Sequence, residues 1–347
     1  MDKLTVVDMH TGGEPLRIVI GGYPPIPAGT ILEKRAWVRD NLDHLRKILI
    51  FEPRGHYDMY GALMVEPNLP GADLAVLFMH NEGYSTMCGH AIVALGRYAV
   101  DQGIVAAREP VTTVNIECPC GMVVASVEVT NGKAGAVSFE SVPAFLFATD
   151  SINIPGYGGT RGSIQFDIAY GGAFYAIADC RQFGLSFGDP EWDFRLGVNP
   201  LRDFIDAATA LTDKIKREYE FPLSHPDHSD LAFLYGAILT DGGDGSGGRA
   251  TKNVCVFAEA EVDRSPTGSG VTARLAAMHA EGEIAIGETR IFESIVGSQF
   301  TGAVARTTRA GPHEAIVARV GGRAYYCGRA EFIVEEDDPL GRGFLVR

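Results

Sequence analysis

The feature that most constrains the fold of this chain is an internal repeat. Four short patterns from the first half recur in the same order in the second half. They pair DMHTGG at 8–13 with DIAYGG at 167–172, YGALM at 60–64 with YGAIL at 235–239, CGHAIVA at 88–94 with TGSGVTA at 267–273, and IE at 116–117 with FE at 292–293. A duplicated chain predicts two similar halves, roughly 1–128 and 160–310, related by a pseudo-twofold axis with a site between their paired loops.

The sequence predicts an α+β fold in each half, with mostly antiparallel strands around a helix. Short β-branched runs between Gly and Pro turns indicate strands at 4–7, 74–78, 123–127 and 254–257. Alanine-rich stretches after the two glycine loops predict helices at 91–100 and 271–279, and further helices are predicted at 40–50 and 201–216. A strand–GxGxxG–helix unit is missing from the sequence, which argues against a Rossmann domain. The glycine-rich run at 242–248 is interpreted as a connector.

Charge and cysteine content exclude several classes of function. The net charge of −14 argues against nucleic acid and anionic membrane surfaces as partners. The N-terminus lacks the basic and apolar regions of a signal peptide, and no apolar run reaches the roughly 18 residues of a membrane span. Six scattered cysteines without a CxxC pair predict reduced thiols in the cytoplasm. Cys118 and Cys120 lack partners at zinc-site spacing, so we expect no metal.

The paired loops at 88–94 and 267–273 each open a predicted helix. A helix N-terminus offers unpaired N–H groups and a positive dipole, which suit a substrate carboxylate and lower the pKa of a cysteine. Cys88 is therefore the candidate thiolate. His90 follows too closely to indicate a protease-like Cys–His pair, whose members are usually distant in sequence. Removal of an α-proton beside a carboxylate fits the duplicated loops better than acyl transfer.

The same loops resemble the motifs of the proline racemase family. EGYSTMCGHA at 82–91 is similar to the family's first motif and DRSPTGSG at 263–270 to its second, while DMHTGGEP at 8–15 and AYGGAFY at 169–175 also match. The likeness extends over essentially the whole chain. It implies two α/β halves of the diaminopimelate epimerase type, an active site in the cleft, no cofactor and a homodimer. The expected domains are 1–128 plus about 318–347, and 129–317.

One position departs from the racemase pattern. Racemases and hydroxyproline epimerases of the family carry a second cysteine where this chain has Thr267. A hydroxyl is too weak an acid to replace a thiol in two-base racemisation. Members with Cys first and Thr second resemble trans-3-hydroxy-L-proline dehydratases, which need one base. The resemblance thus implies that Cys88 removes the α-proton, the 3-hydroxyl leaves as water, and the product becomes Δ1-pyrroline-2-carboxylate.

The resemblance also implies roles for the neighbouring residues. Gly89 and His90, together with Gly268 and Ser269, are expected to hold the substrate carboxylate and nearby atoms. Asp263 is expected to bind the ring nitrogen, or else to cap the helix entry or pair with Arg264. Two roles remain open for Thr267: a hydrogen bond or proton relay to the leaving hydroxyl, or a passive filler.

Three alternatives are kept beside the hydro-lyase. The nearest is a proline racemase or 4-hydroxyproline 2-epimerase that tolerates Thr267. A non-enzymatic imino-acid-binding protein would have no need of the Cys88 thiolate. An isomerase of the phenazine-biosynthesis type is expected to carry an acidic residue at the position of Cys88.

Overall fold

The computed structural model describes residues 2–159, 162–187, 201–219 and 223–346. Within these residues the chain forms 18 β-strands and four α-helices. They divide into two compact units. Unit 1 consists of Met1–Glu140 and Gly321–Arg347, and unit 2 of Ser141–Val320. The α+β class predicted from the sequence is confirmed.

Unit 1 contains helices α1 and α2 and nine strands among its described residues. Their order is β1 Asp2–Thr11, β2 Glu14–Gly21, α1 Ile31–Ile50, β3 Gly61–Val65, β4 Leu74–Met79, β5 Tyr84–Ser85, α2 Gly89–Asp101, β6 Val111–Cys118, β7 Gly121–Thr130, β8 Lys133–Glu140 and, at the chain end, β18 Ala324–Val334. The last strand is antiparallel to β1 along the full length of β1, which places the chain end in unit 1.

Unit 2 contains helices α3 and α4 and the other nine strands. Their order is β9 Phe145–Ile152, β10 Ile164–Tyr170, β11 Phe174–Asp179, α3 Leu201–Glu218, β12 Leu234–Thr240, β13 Ala250–Phe257, β14 Glu261–Val262, α4 Gly268–Ala280, β15 Thr289–Glu293, β16 Gln299–Ala310 and β17 His313–Gly322. The last two residues of β17 belong to unit 1.

The two units share one pattern of strand pairing. In unit 1, β1/β2, β3/β4, β4/β5 and β6/β7 are antiparallel, whereas β2/β3 and β4/β6 are parallel. In unit 2, β10/β11, β12/β13, β13/β14 and β15/β16 are antiparallel, whereas β11/β12 and β13/β15 are parallel. Parallel neighbours need a crossover connection, and each connection contains one helix: α1 and α2 in unit 1, and α3 and α4 in unit 2. The topology therefore repeats where the sequence does.

Each unit is built around one buried helix that begins at a repeated motif. In α2 nearly every residue is buried, and the helix packs against β1, β7 and β8. In α4 the first 11 residues are buried, and the helix packs against β9, β10 and β16. A helix that is apolar on all sides belongs in a core, and the buried polar residues Thr272 and Arg274 of α4 have hydrogen-bond partners. These helices contain the segments predicted at 91–100 and 271–279.

Two boundaries differ from those predicted. Helix α1 was expected at 40–50 but begins at Ile31, because Thr30 and Glu33 form a capping box that stabilises an earlier start. The predicted domain boundary at 128/129 falls inside β7. The structure divides after Glu140 instead, because β8 pairs with β7.

No helix among the described residues combines the length and apolar character that a bilayer crossing requires.

Candidate active site

Cys88 lies in unit 1 at the N-cap of α2. Strand β5 ends at Ser85, and the chain enters the helix at Gly89. The Cys88 backbone is extended, with φ of −147° and ψ of 105°, which is the usual N-cap conformation. Its side chain makes no capping hydrogen bond. The residue is 4% exposed. Its place at the N-terminus of a helix is the one that the sequence predicted.

His90 packs directly against the Cys88 thiol. Its Nδ1 is 3.1 Å from the cysteine Sγ and its Nε2 is 3.6 Å away. Burial lowers the pKa of His90 to about 3, and a hydrogen bond to the Pro15 carbonyl offsets this only in part. A pKa this low leaves the imidazole neutral near pH 7.

Three polar residues that sequence reasoning did not select hold this motif in place. The Thr11 hydroxyl donates to the backbone carbonyl of His90 at 2.8 Å. The Tyr60 ring meets the His90 ring edge-on, with centroids 4.9 Å apart. The Tyr60 hydroxyl is hydrogen-bonded to the Ser85 hydroxyl. The sequence carried a sign of two of these residues, since Thr11 and Tyr60 both lie in patterns that recur in the second half.

Thr267 lies in unit 2 at the N-cap of α4, the position that Cys88 has in unit 1. Its backbone adopts a φ of 67° and ψ of 97°. A positive φ is a genuine outlier for a β-branched residue. The side chain is 5% exposed. Among the described residues its hydroxyl makes no hydrogen bond of good geometry, although it lies near enough to the Asp263 carboxyl to favour the ionised form.

Asp263 starts a tight turn that leads into α4. Its Oδ1 accepts a hydrogen bond from the Ser265 N–H at 2.7 Å, and the Ser265 hydroxyl in turn accepts one from the Thr267 N–H at 3.1 Å. Burial raises the pKa of Asp263 to about 6, opposed by the Ser265 hydrogen bonds, by the nearby Thr267 hydroxyl and by Arg264. The helix-entry role considered for Asp263 is therefore present, and Arg264 is a minor electrostatic partner.

Gly268 and Ser269 form the first turn of α4. The Ser269 hydroxyl is hydrogen-bonded to the Tyr175 hydroxyl at 2.7 Å. The Gly268 carbonyl accepts from the Thr272 hydroxyl at 2.9 Å. Gly171 approaches this turn so closely that a Cβ there would lie 2.2 Å from the Ser269 carbonyl oxygen. The repeated glycines thus allow β10 and the following turn to support the helix start.

Each unit therefore assembles its own share of the predicted residues. Unit 1 brings together Cys88, Gly89 and His90 at the start of α2. Unit 2 brings together Asp263, Thr267, Gly268 and Ser269 around the start of α4. First-turn N–H groups and a helix dipole at both places favour a bound anion, and a thiol stands at only one of these two N-caps.

Comparison with known proteins places the chain in a family. A model described as proline racemase matches residues 6–345. A trans-L-3-hydroxyproline dehydratase of Xenopus tropicalis is 54% identical over 99% of this chain and 95% of its own length. A trans-3-hydroxy-L-proline dehydratase of Burkholderia ambifaria is 43% identical over 99% of this chain and 98% of its own length.

A solved structure has the same fold as this chain. A hydroxyproline epimerase from Agrobacterium vitis, crystallised with trans-4-hydroxy-L-proline, superposes with a TM-score of 0.88 at 28% identity. The match covers 100% of this chain and 95% of the epimerase. The motifs, the repeated topology and these matches agree, and the chain belongs to the proline racemase family.

Proposed function

We propose that this chain is a cofactor-independent hydro-lyase that converts trans-3-hydroxy-L-proline into Δ1-pyrroline-2-carboxylate and water. One observation carries the proposal: the two equivalent N-caps hold different groups, a cysteine at 88 and a threonine at 267. One strong base is enough for an elimination, whereas racemisation through two thiols needs two. Full-length relatives of 43–54% identity that are named as this dehydratase support the same conclusion.

Cys88 acts as the base. The start of α2 favours its thiolate, because the helix dipole and unpaired N–H groups stabilise negative charge. The thiolate takes the α-proton of the substrate and becomes a thiol. Negative charge then spreads onto the substrate carboxylate, where the N–H groups of Gly89 and Gly268 stabilise it most strongly as it develops.

The 3-hydroxyl leaves from the neighbouring carbon. The electron pair of the broken C–H bond forms the C2–C3 double bond, and the C–O bond breaks. The leaving oxygen takes up one proton from solvent and departs as water, and the Cys88 thiol later returns the α-proton to solvent, so that no net proton is consumed in the elimination. The enamine gains a proton at C3 and loses one from nitrogen, which gives the cyclic imine. Thr267 hydrogen-bonds the leaving hydroxyl.

The remaining residues hold the substrate. Asp263 pairs with the secondary ammonium of the ring, and a bound cation favours its ionised form. His90 and Ser269 contact the carboxylate and adjacent atoms, each held by a tyrosine through the contacts of Tyr60 and Tyr175. The proposal requires that both motif loops bind the same substrate molecule.

The test is an assay of imine formation from trans-3-hydroxy-L-proline. The intact protein is expected to form Δ1-pyrroline-2-carboxylate, and Cys88→Ser is expected to lose about 10³-fold in kcat, in line with loss of a positioned base. Cys180→Ala is the matched control, because Cys180 is equally buried in unit 2 and burial raises the pKa of its thiol to about 12. Its activity is expected to stay within twofold.

Two outcomes would reject the proposal. Racemisation of proline or epimerisation of 4-hydroxyproline without dehydration would identify an epimerase. Tight binding of imino acids without turnover, unchanged in Cys88→Ser, would identify a binding protein. Labelling in deuterium oxide distinguishes the epimerase from the binding protein, because the epimerase exchanges the α-hydrogen of the imino acid and the binding protein does not.

We further propose that the protein is a cytoplasmic homodimer. All six cysteines are free thiols, which supports a reducing compartment. Sedimentation equilibrium at micromolar concentration is expected to give twice the chain mass of 37.2 kDa, and a monomer mass would reject the dimer.

A further inference from the structure

A buried asparagine supports the peptide bond that leads into Thr267. The Nδ2 of Asn253, on β13, donates a hydrogen bond to the Pro266 carbonyl oxygen at 3.2 Å. Asn253 is 1% exposed. Pro266 immediately precedes Thr267, so this bond fixes the carbonyl of the peptide whose nitrogen belongs to Thr267. Thr267 cannot change its φ unless that peptide rotates, and the hydrogen bond from Asn253 opposes this rotation.

Arg274 fixes the orientation of the Asn253 amide. Its Nη1 donates to the Asn253 Oδ1 at 3.0 Å and its Nη2 to the Thr251 hydroxyl at 2.8 Å. The guanidinium lies over the Phe292 ring, 4.9 Å from its centroid. Because arginine is only a donor, the oxygen of Asn253 must face it and the NH₂ must face Pro266. The amide is thus oriented by chemistry as well as by packing.

The network is anchored at the glycine-rich connector. The Thr251 hydroxyl donates to Asp241 Oδ1 at 2.8 Å, and the Asp241 carboxylate also accepts the Gly243 and Lys252 N–H groups. Arg274 Nη2 reaches the Gly243 carbonyl at 3.3 Å. The run at 242–248 therefore supplies an anchor for Arg274, a role that composition alone does not indicate.

The network belongs to the unit whose N-cap is strained. Thr267 has a positive φ, which a β-branched residue keeps only if its surroundings enforce it. Cys88 has ordinary extended angles. Strand β4, which has the same pairings as β13, consists of Leu-Ala-Val-Leu-Phe-Met and carries no hydrogen-bonding side chain of this kind. A polar clamp is thus found behind the strained N-cap, and the equivalent strand behind Cys88 is apolar.

We propose that Asn253, oriented by Arg274, is a positioning residue for dehydration that holds Thr267 in its positive-φ conformation and so places the Thr267 hydroxyl for the leaving group. This inference rests on the proposed dehydratase function. It assigns an active role to Thr267, because a passive filler would need no enforced backbone. Asn253 itself touches no reacting atom and acts only through the Pro266–Thr267 peptide.

The sharpest variant is Asn253→Asp. Aspartate has the same shape and keeps an acceptor for Arg274, and the adjacent guanidinium keeps it ionised. It replaces the donor to the Pro266 carbonyl with a carboxylate oxygen, which repels that carbonyl oxygen. The expected result is a fall in the dehydration kcat of about tenfold, with KM within twofold, because the group is displaced by less than the 1 Å that costs about a hundredfold. In deuterium oxide, Cys88 still removes the α-proton, so exchange in recovered substrate relative to dehydration rises about tenfold.

A double-mutant cycle with Thr267→Ala tests whether Asn253 acts through Thr267. Asn253→Asp is expected to add no further loss of kcat once Thr267 is alanine, whereas independent sites would give additive losses. Arg17→Met is the control, since this buried arginine of unit 1 donates to the Leu49 and Arg54 carbonyls and lies outside the network. It is expected to lower thermal stability without changing the exchange-to-dehydration ratio.

The outcomes separate this inference from the proposed function. If Asn253→Asp lowers exchange and dehydration equally, or if its effect adds to that of Thr267→Ala, the positioning role is wrong while the dehydratase stands. If the unmodified protein forms no imine, the proposed function fails first. Arg274→Lys is a second variant, which keeps the buried charge but loses the fork between Asn253 and Thr251. It is expected to raise the ratio several-fold, and an unchanged ratio in the folded variant would overturn the role of Arg274.

Discussion

Cys88 and Thr267 occupy the same position in two units of the same topology, yet their backbones differ. Each is the N-cap of a 13-residue helix, but φ is −147° at Cys88 and 67° at Thr267. The duplication has therefore kept the helix start and changed both the side chain and the backbone that presents it. The N-cap with ordinary backbone angles carries a thiol, and the N-cap with a positive φ carries a hydroxyl.

The first prediction restores the thiol. Thr267→Cys is expected to gain α-epimerisation, because it provides a second group able to carry a proton. Cysteine lacks the β-branch of threonine, so the positive φ is less costly to keep. The measurement is solvent deuterium incorporation with inversion at the α-carbon of trans-4-hydroxy-L-proline.

Thr267→Ser is the matched control for this gain, since it keeps a hydroxyl and removes only a methyl group. Serine is expected to give no inversion. A folded Thr267→Cys protein that incorporates deuterium without inversion would show that residues 88 and 267 do not act on opposite faces of the α-carbon.

The second prediction concerns pH and activity. The pKa of Asp263 is raised to about 6 by burial, so in the free protein the carboxylate that binds the ring ammonium is lost as pH falls below this value. We expect kcat/KM to fall about tenfold per pH unit below pH 6, because kcat/KM follows the ionisation of the free protein. Asp263→Asn is expected to have low activity without this acidic limb. If kcat/KM of the asparagine variant falls below pH 6 in the same way, a group other than Asp263 causes the fall.

The third prediction concerns the stability cost of the same carboxyl. Because the folded-state pKa lies above the ordinary value of 3.8, the folded protein binds more protons than the unfolded chain between about pH 4 and 6. The contribution of Asp263 to stability is therefore fully present below pH 4 and is lost as pH rises through 6. Asp263→Asn keeps an acceptor for the Ser265 N–H and removes the buried charge.

Asp263→Asn is accordingly expected to be more stable than the unmodified protein at pH 7, by up to about 3 kcal/mol for a shift of roughly two pKa units. At pH 4 the difference is expected to vanish. Urea unfolding of both proteins at the two pH values measures it. An equal difference at both pH values would show that charge at Asp263 is not its cause.

The local features of this fold were predictable from the sequence. The repeat, the helix starts after Cys88 and Thr267, and the short strands all depend on patterns of a few neighbouring residues. The family resemblance rests on the same short motifs. The predicted start of α1 at residue 40 is wrong, although Thr30 and Glu33 carry the local signature of a capping box.

The supporting contacts were not predictable in the same way. Asn253 and Arg274 are 21 residues apart, and Tyr175 is 94 residues from Ser269. No local pattern marks such pairs, because they depend on how strands and helices pack. The positive φ at Thr267 was hidden for the same reason, since surrounding contacts impose it against the preference of threonine.

The fourth prediction tests the close approach of Gly171 to α4. A Cβ at Gly171 would lie 2.2 Å from the Ser269 carbonyl oxygen and 2.5 Å from the Ala273 nitrogen, and both are backbone atoms that cannot rotate away. Gly171→Ala is therefore expected to shift the start of α4, to lower stability by about 1–3 kcal/mol as overpacking does, and to raise KM several-fold. Thermal unfolding and steady-state kinetics measure the two effects.

Gly328→Ala is the control for that substitution, because a Cβ at Gly328 meets nothing within 4 Å. It is expected to leave KM unchanged. A normal KM in Gly171→Ala would mean that the first turn of α4 moves without affecting substrate binding, which would weigh against Gly268 and Ser269 as carboxylate-binding residues.

The fifth prediction is that His90 stays neutral while it contacts the Cys88 thiol. Burial lowers the pKa of His90 to about 3, whereas an unperturbed histidine titrates near 6.5. The ring signals of His90 in NMR spectra are expected not to move between pH 8 and 5, and His80, whose pKa burial also lowers to about 3, is expected to behave alike. His90→Gln and His80→Gln assign the two sets of signals. If His90 instead titrates near pH 6.5, its imidazole is charged below that pH and can pair with a Cys88 thiolate. The start of α2 would then not be the main source of thiolate stabilisation. If the His90 signals do not move, the N–H groups and the dipole of α2 are what stabilise the Cys88 thiolate. Cys88 then works as a base without a proton-accepting partner.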